Sequence, residues 1–224
     1  MKLALTLALA TLAAAAPSPL EQARDRQDRA ALQQRIAQLS AAAEKAPKDA
    51  AAQYQAALAC NYLAEVMNEQ HERKPARQIA EQGMKFGEKA VALDPSAENY
   101  RLLGTLYGQG ITDIMSGLSY GPKAKDALNK AMERAPKSSA VWVAHGVGNY
   151  YLPAQVGGGV PLAISDFRKA IDLDPKNSEA YLWLGVALRK DNKDAEARQA
   201  LAKALALNPQ RVWVKQQLEK TPAK

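Results

Sequence analysis

Few residues in this chain are equipped for nucleophilic or metal chemistry: two histidines, His71 and His145, and one thiol, Cys60. Two imidazoles and one sulfur make no ligand set with metal-site spacing. A hydrolase triad needs a serine or cysteine presented by a motif such as G-x-S-x-G, and none occurs. His71 sits in the polar stretch Glu69-Gln70-His71-Glu72-Arg73 and reads as a solvent-facing connection. His145 falls among apolar residues and reads as a packed, satisfied histidine. Cys60 lies in an alanine-rich helical stretch, where a small buried apolar side chain is expected. Gly157-Gly158-Gly159 precedes a helix, a place where free N–H groups can hold phosphate. Pro161 removes one donor, however, and no Lys-Ser or Lys-Thr follows. The other reading is a wide turn that folds one helix back on the next. Catalytic residues, cofactors and metals are therefore all read as none, and the protein as not an enzyme.

The elements around these residues repeat. Alanine, an apolar residue four on, alanine three on and proline five on recur as Ala124, Leu128, Ala131, Pro136, then as Ala163, Phe167, Ala170, Pro175, and again as Ala197, Leu201, Ala204, Pro209. Prolines also close units at Pro47 and Pro95, and Pro175 and Pro209 stand 34 residues apart. The final unit reads Tyr181, Leu184, Gly185, Leu188, Ala197, Leu201, Ala204, Pro209. Its apolar positions follow helical spacing, its small residues suit close helix crossings, and Pro209 ends a helix. Asn192 and Asp194 mark a turn between two helices.

This pattern resembles the tetratricopeptide repeat (TPR) family, a 34-residue helix–turn–helix unit. Only Leu188 departs, where a tyrosine is usual. The preceding unit carries Trp142, His145 and Gly146 on its first helix, with extra length from Leu152 to Pro161. The unit before carries Tyr100, Leu103, Gly104 and Tyr107, with extra length between Gly108 and Pro122 that reads as a short helical turn at Thr112 to Leu118. The first unit is the least regular, with Gly83 and Gly87 where alanine and an aromatic are usual. The resemblance implies an all-α, right-handed TPR-like solenoid of about four helix hairpins. It assigns 17–47 to a single N-terminal helix, 48–209 to the repeats and 210–224 to a capping helix and tail. Ser18-Pro19-Leu20-Glu21 reads as a capping box that starts the N-terminal helix. The loop Pro153 to Gly158 before the helix with Ala163 and Phe167 also resembles two TPR subfamilies, the T subunits of TRAP transporters and the regulators of microtubule dynamics. Known T subunits are lipoproteins, and this chain lacks the lipid-attachment cysteine.

The net charge is +7, spread along the chain without a run of five basic residues. That argues against nucleic acid, which calls for a concentrated patch with interleaved aromatics. Met1-Lys2 followed by an apolar run from Leu3 to Ala16 is similar to a secretory signal peptide, so 1–16 is expected to be removed. The localisation that follows is periplasmic or secreted, with no stable membrane span after cleavage.

A repeat array presents a long curved surface that binds proteins or peptides. The repeat frame places Tyr62, Arg101, Tyr150, Tyr151, Trp183, Arg189 and Lys190 near the concave groove. Aromatics beside arginine are what binding surfaces favour. The positions where carboxylate-gripping TPR domains carry lysine and asparagine hold Ala59, Thr105, Val147 and Val186, so no such clamp is expected. The expectation is an exported, non-catalytic scaffold holding a protein or peptide, with Arg101, Arg189 and Lys190 favouring an acidic one. Two alternatives stay open: an accessory subunit of a solute transporter with a small-ligand cavity near Tyr107, Tyr120 and Tyr151, and a self-associating structural module.

Overall fold

The computed structural model describes residues 17–223, and the leader-like run 1–16 lies outside it. Among the described residues the regular elements are all helical. Helices α1 (Pro19–Asp25) and α2 (Arg29–Lys45) lead into four hairpins. These are α3 (Ala50–Glu69) with α4 (Arg73–Leu93), α5 (Ala97–Gln109) with α6 (Ile114–Arg134), α7 (Ser139–Tyr151) with α8 (Val160–Leu173), and α9 (Ser178–Lys190) with α10 (Asp194–Leu207). Helix α11 (Val212–Glu219) closes the array.

The repeated prolines do the work their spacing suggests. Pro47, Pro95, Pro136, Pro175 and Pro209 each lie just beyond a helix end. After the first four, the next helix starts on a side-chain cap: Asp49, Ser96, Ser138 and Asn177 each accept from backbone N–H groups of the first turn. The first helices α3, α5, α7 and α9 touch one another in succession, whereas α4, α6 and α8 each pack between two first helices and α10 between α9 and α11. That asymmetry curves the stack and puts the first helices on the concave face. The hairpin turns form one edge of the array, and the proline-bearing loops form the other.

Small residues set the spacing. A Cβ added at Gly146 would lie 2.6 Å from Phe167 Cε1, and one at Gly185 would lie 2.5 Å from Leu201 Cγ. Cys60 is fully buried, and burial pushes its thiol up to about 12. The native protein should therefore resist alkylation by iodoacetamide at pH 8, and urea should restore the reaction. Rapid modification of the folded protein would contradict this packing.

Two expectations are corrected. The N-terminal helix is not continuous. It breaks at Arg26-Gln27-Asp28, where Gln27 takes φ 53° and Asp28 caps a new helix. The side chain of Gln27 reaches Glu69 and Gln216 across that break. The extra length after Gly108 is not a separate helical turn either. Asp113 and Ser116 form a capping box, and α6 runs unbroken from Ile114 through Pro122. Pro122 stands on the exposed side, where the carbonyl it leaves unpaired can meet water.

Candidate binding face

The concave face carries a charged cluster. On α3, Tyr62, Glu65 and Glu69 follow helical spacing along one stripe. Glu179 faces them from the start of α9. Between them lie two arginines from the ends of the chain. Arg24 of α1 bonds Asp25 at 2.6 Å and Glu179 at 3.3 Å, and stacks 5.0 Å above the Tyr62 ring. Arg211, just ahead of α11, is fully buried. Its guanidinium donates to Glu179 at 3.1 Å, to Glu65 at 2.6 Å and to both carboxylate oxygens of Glu69. Asn208 donates to Asp25 at 2.8 Å, and Gln27 donates to Glu69 at 2.7 Å. The two ends of the array thus meet through polar side chains, with α1 packed on α3 and joined to α9 through Arg24 and Glu179.

Four carboxylates here meet two guanidiniums. Burial pushes Glu65 up to about 7, against the pull of Arg211 and Arg24. Burial also raises Glu69. For Glu179, burial acts upward, but Arg211 and Arg24 outweigh it and hold the carboxyl below its usual range. Glu65 therefore binds its proton more tightly folded than unfolded. Its stabilising contribution is complete below about pH 4.5 and disappears as pH rises through about 7, a loss of up to about 3 kcal/mol. Urea midpoints of the parent should accordingly fall between pH 5 and pH 8 by more than those of Glu65→Gln. Equal slopes in the two proteins would refute the assignment.

The predicted groove residues separate into four places. Tyr62 lies under Arg24, and burial pushes its hydroxyl up to about 12. Arg101, on the neighbouring α5, is held by Glu98 at 2.7 and 2.5 Å, and Tyr54 donates to the same carboxylate at 2.7 Å. Tyr150, Tyr151, Trp183 and Lys190 come together. Trp183 stands 5.9 Å from Tyr150, 6.2 Å from Tyr151 and 5.2 Å from Trp213 of α11, and Lys190 Nζ lies 4.2 Å above the Tyr150 ring. Arg189 is spent on the cap, donating to the backbone carbonyl of Gln217 at 3.2 Å and its side-chain oxygen at 2.6 Å. Sequence reasoning missed Arg24, Glu65, Glu69, Glu179 and Arg211. A signal existed: Glu65 interrupts the largely apolar stretch Ala56 to Met67, and Glu69 follows four residues on, on the same helix face.

The residues whose types suit chemistry have structural partners. His145 Nδ1 lies 2.8 Å from Asp166, and Asn149 donates to the same oxygen at 2.7 Å, so the three tie α7 to α8. The N–H groups of Gly157, Gly158 and Gly159 go to the carbonyls of Ala154, Pro153 and Asn149. The glycine run is the wide turn, with φ 88° at Gly157 and 113° at Gly159. Its donors are not free for phosphate. Tyr107 and Tyr120 stack 6.0 Å apart and donate to Glu88 and Glu81, while Tyr151 belongs to the Trp183 cluster.

Residues 154–212 match the tetratricopeptide repeat family. A thermophilic TPR protein of Thermus thermophilus superposes with a TM-score of 0.63 at 18% identity, over 90% of this chain and 96% of that one. YrrB, a TPR protein described as having an unusual peptide-binding site, aligns at 17% identity and a TM-score of 0.44, over 80% of this chain and 96% of its own. Yeast Tom70 aligns at 16% identity and 0.47, over 81% of this chain and 33% of its own. No curated protein matches in sequence.

Proposed function

From a tetratricopeptide-repeat fold whose concave face already holds a piece of its own chain, we propose that the protein is a non-catalytic scaffold that binds a peptide segment of a partner protein there. The observation that carries this is the seating of α1. A seven-residue helix packs against α2 and α3, with Arg24 between the Tyr62 ring and Glu179 of α9. Aromatic faces beside desolvated carboxylates suit a guanidinium. The geometry therefore supports a partner segment bearing arginine better than an acidic one, because Arg101 and Arg189 are already engaged by Glu98 and Gln217. Loosening α1 with Arg24→Ala frees the slot without altering its walls. Peptide display on that variant should select arginine-bearing segments, and their capture should fall at least about tenfold on adding Tyr62→Ala. Selection of acidic peptides that are lost on Arg101→Glu would overturn this and restore the acidic reading.

The run Leu3 to Ala16 supports export. Amino-terminal sequencing of protein recovered from the cell envelope should begin near Ala16 or Pro17; a start at Met1 in that fraction would sink this part.

A further inference from the structure

Among the described residues, all but one of the large exposed apolar side chains sit in two neighbouring hairpin turns. The α5–α6 turn presents Ile111, and the start of α6 presents Ile114, Met115 and Leu118, spaced to share one helix face. Ile114 is 82% exposed, Met115 74% and Leu118 69%. The α7–α8 turn adds Tyr151, Val156 and Leu162. Both segments exceed the 34-residue frame, so the packing of the repeats does not require these side chains.

Charge around them is one-sided. From Ile111 to Pro122 the only charged residue is Asp113, which Arg77 neutralises at 3.2 Å, and from Tyr151 to Leu162 there is none. Of the flanking turns, the start of α4 carries Arg73 and Lys74 after Glu72, whereas the α9–α10 turn pairs Lys193 with Asp191 at 2.8 Å and offers Lys190 beside them. Exposed Arg73 and Lys74 make no ion pair among the described residues, and exposed Lys190 stands over Tyr150.

We propose that this edge docks on an anionic lipid surface. Ile114, Met115, Leu118 and Val156 enter the boundary between headgroups and acyl chains. Tyr151 rests at headgroup level, and Arg73, Lys74 and Lys190 meet lipid phosphates. Two convex turns carrying separate apolar side chains suit a fluid surface, which needs no preformed complementary pocket. The attachment is peripheral, because no described helix is long and apolar enough to cross a membrane. It is also separate from the peptide slot at Tyr62 and Glu179, so either property can fail without the other.

The buried, poorly ionised Cys60 allows single-site labelling. Met115→Cys on this edge and Lys48→Cys on the opposite edge each take a nitroxide on the full chain. On vesicles containing phosphatidylglycerol, the label at 115 should gain contact with dissolved oxygen and lose contact with a water-soluble nickel reagent, while the label at 48 should stay aqueous. Ile114→Asp with Leu118→Asp should weaken vesicle binding at least about tenfold. An aqueous label at 115 on vesicle-bound protein, equal binding to purely phosphatidylcholine vesicles, or unchanged binding of the double variant would each overturn the proposal. So would light scattering showing that the edge is consumed by pairing of two copies.

Discussion

Arg211→Ala is expected to lower the unfolding free energy by roughly 3–5 kcal/mol. The guanidinium is fully enclosed and serves Glu65, Glu69 and Glu179 together. Removing it leaves four carboxylates with Arg24 alone, and the desolvation of those acids is then uncompensated. Lysine should rescue little, because one ammonium cannot reproduce a fork that reaches three carboxylates. Urea titration at pH 7 provides the measurement. Repeating it at pH 5 should recover part of the loss, since protonated carboxyls need no counter-charge. A loss below about 1 kcal/mol would mean that the cluster is held by water rather than by Arg211.

Gly185→Val should cost about 3 kcal/mol, at the upper end of ordinary overpacking. The added Cβ would meet Leu201 Cγ at 2.5 Å and the Ala197 carbonyl oxygen at 3.0 Å. The second of these contacts is backbone, which cannot turn aside. Gly146→Val meets the Phe167 ring and the Asp166 side chain in the same way and should behave similarly. Gly108 provides the contrast, since nothing lies within 4 Å of a Cβ there. Gly108→Ala should be neutral or stabilise by up to about 1 kcal/mol through helix propensity. Thermal melts of the three variants separate the two effects. Equal outcomes at 108 and 185 would show that helix crossing distance does not matter at these positions.

The repeats were legible because each one is fixed locally. Asn177, Gly185, Ala197 and Pro209 each impose a cap, a crossing, a contact or a stop within their own unit, and α9 and α10 fall where those residues put them. The break after Asp25 was not legible. No glycine or proline marks it, and Gln27 enters the left-handed region in favour of partners on α3 and α11. The course of α6 through Pro122 was hidden for a related reason: a proline costs a helix less where the freed carbonyl faces water. The cluster at Arg211 was hidden most deeply. Its contact with Glu65 spans 146 residues, and a pattern with a period of 34 carries information about neighbours only.

The meeting of α1 with the Arg211 segment changes how such a protein comes apart. An open row of repeats unzips from whichever terminus frays first, because an outermost unit has a neighbour on one side only. Here the two outermost units hold each other, so neither terminus is a free starting point. Opening must begin by parting the clasp or by rupturing an interior hairpin. The same contact makes closure the slow step of assembly. The row can zip up through local contacts, but the ring is completed only when sites far apart in sequence find one another.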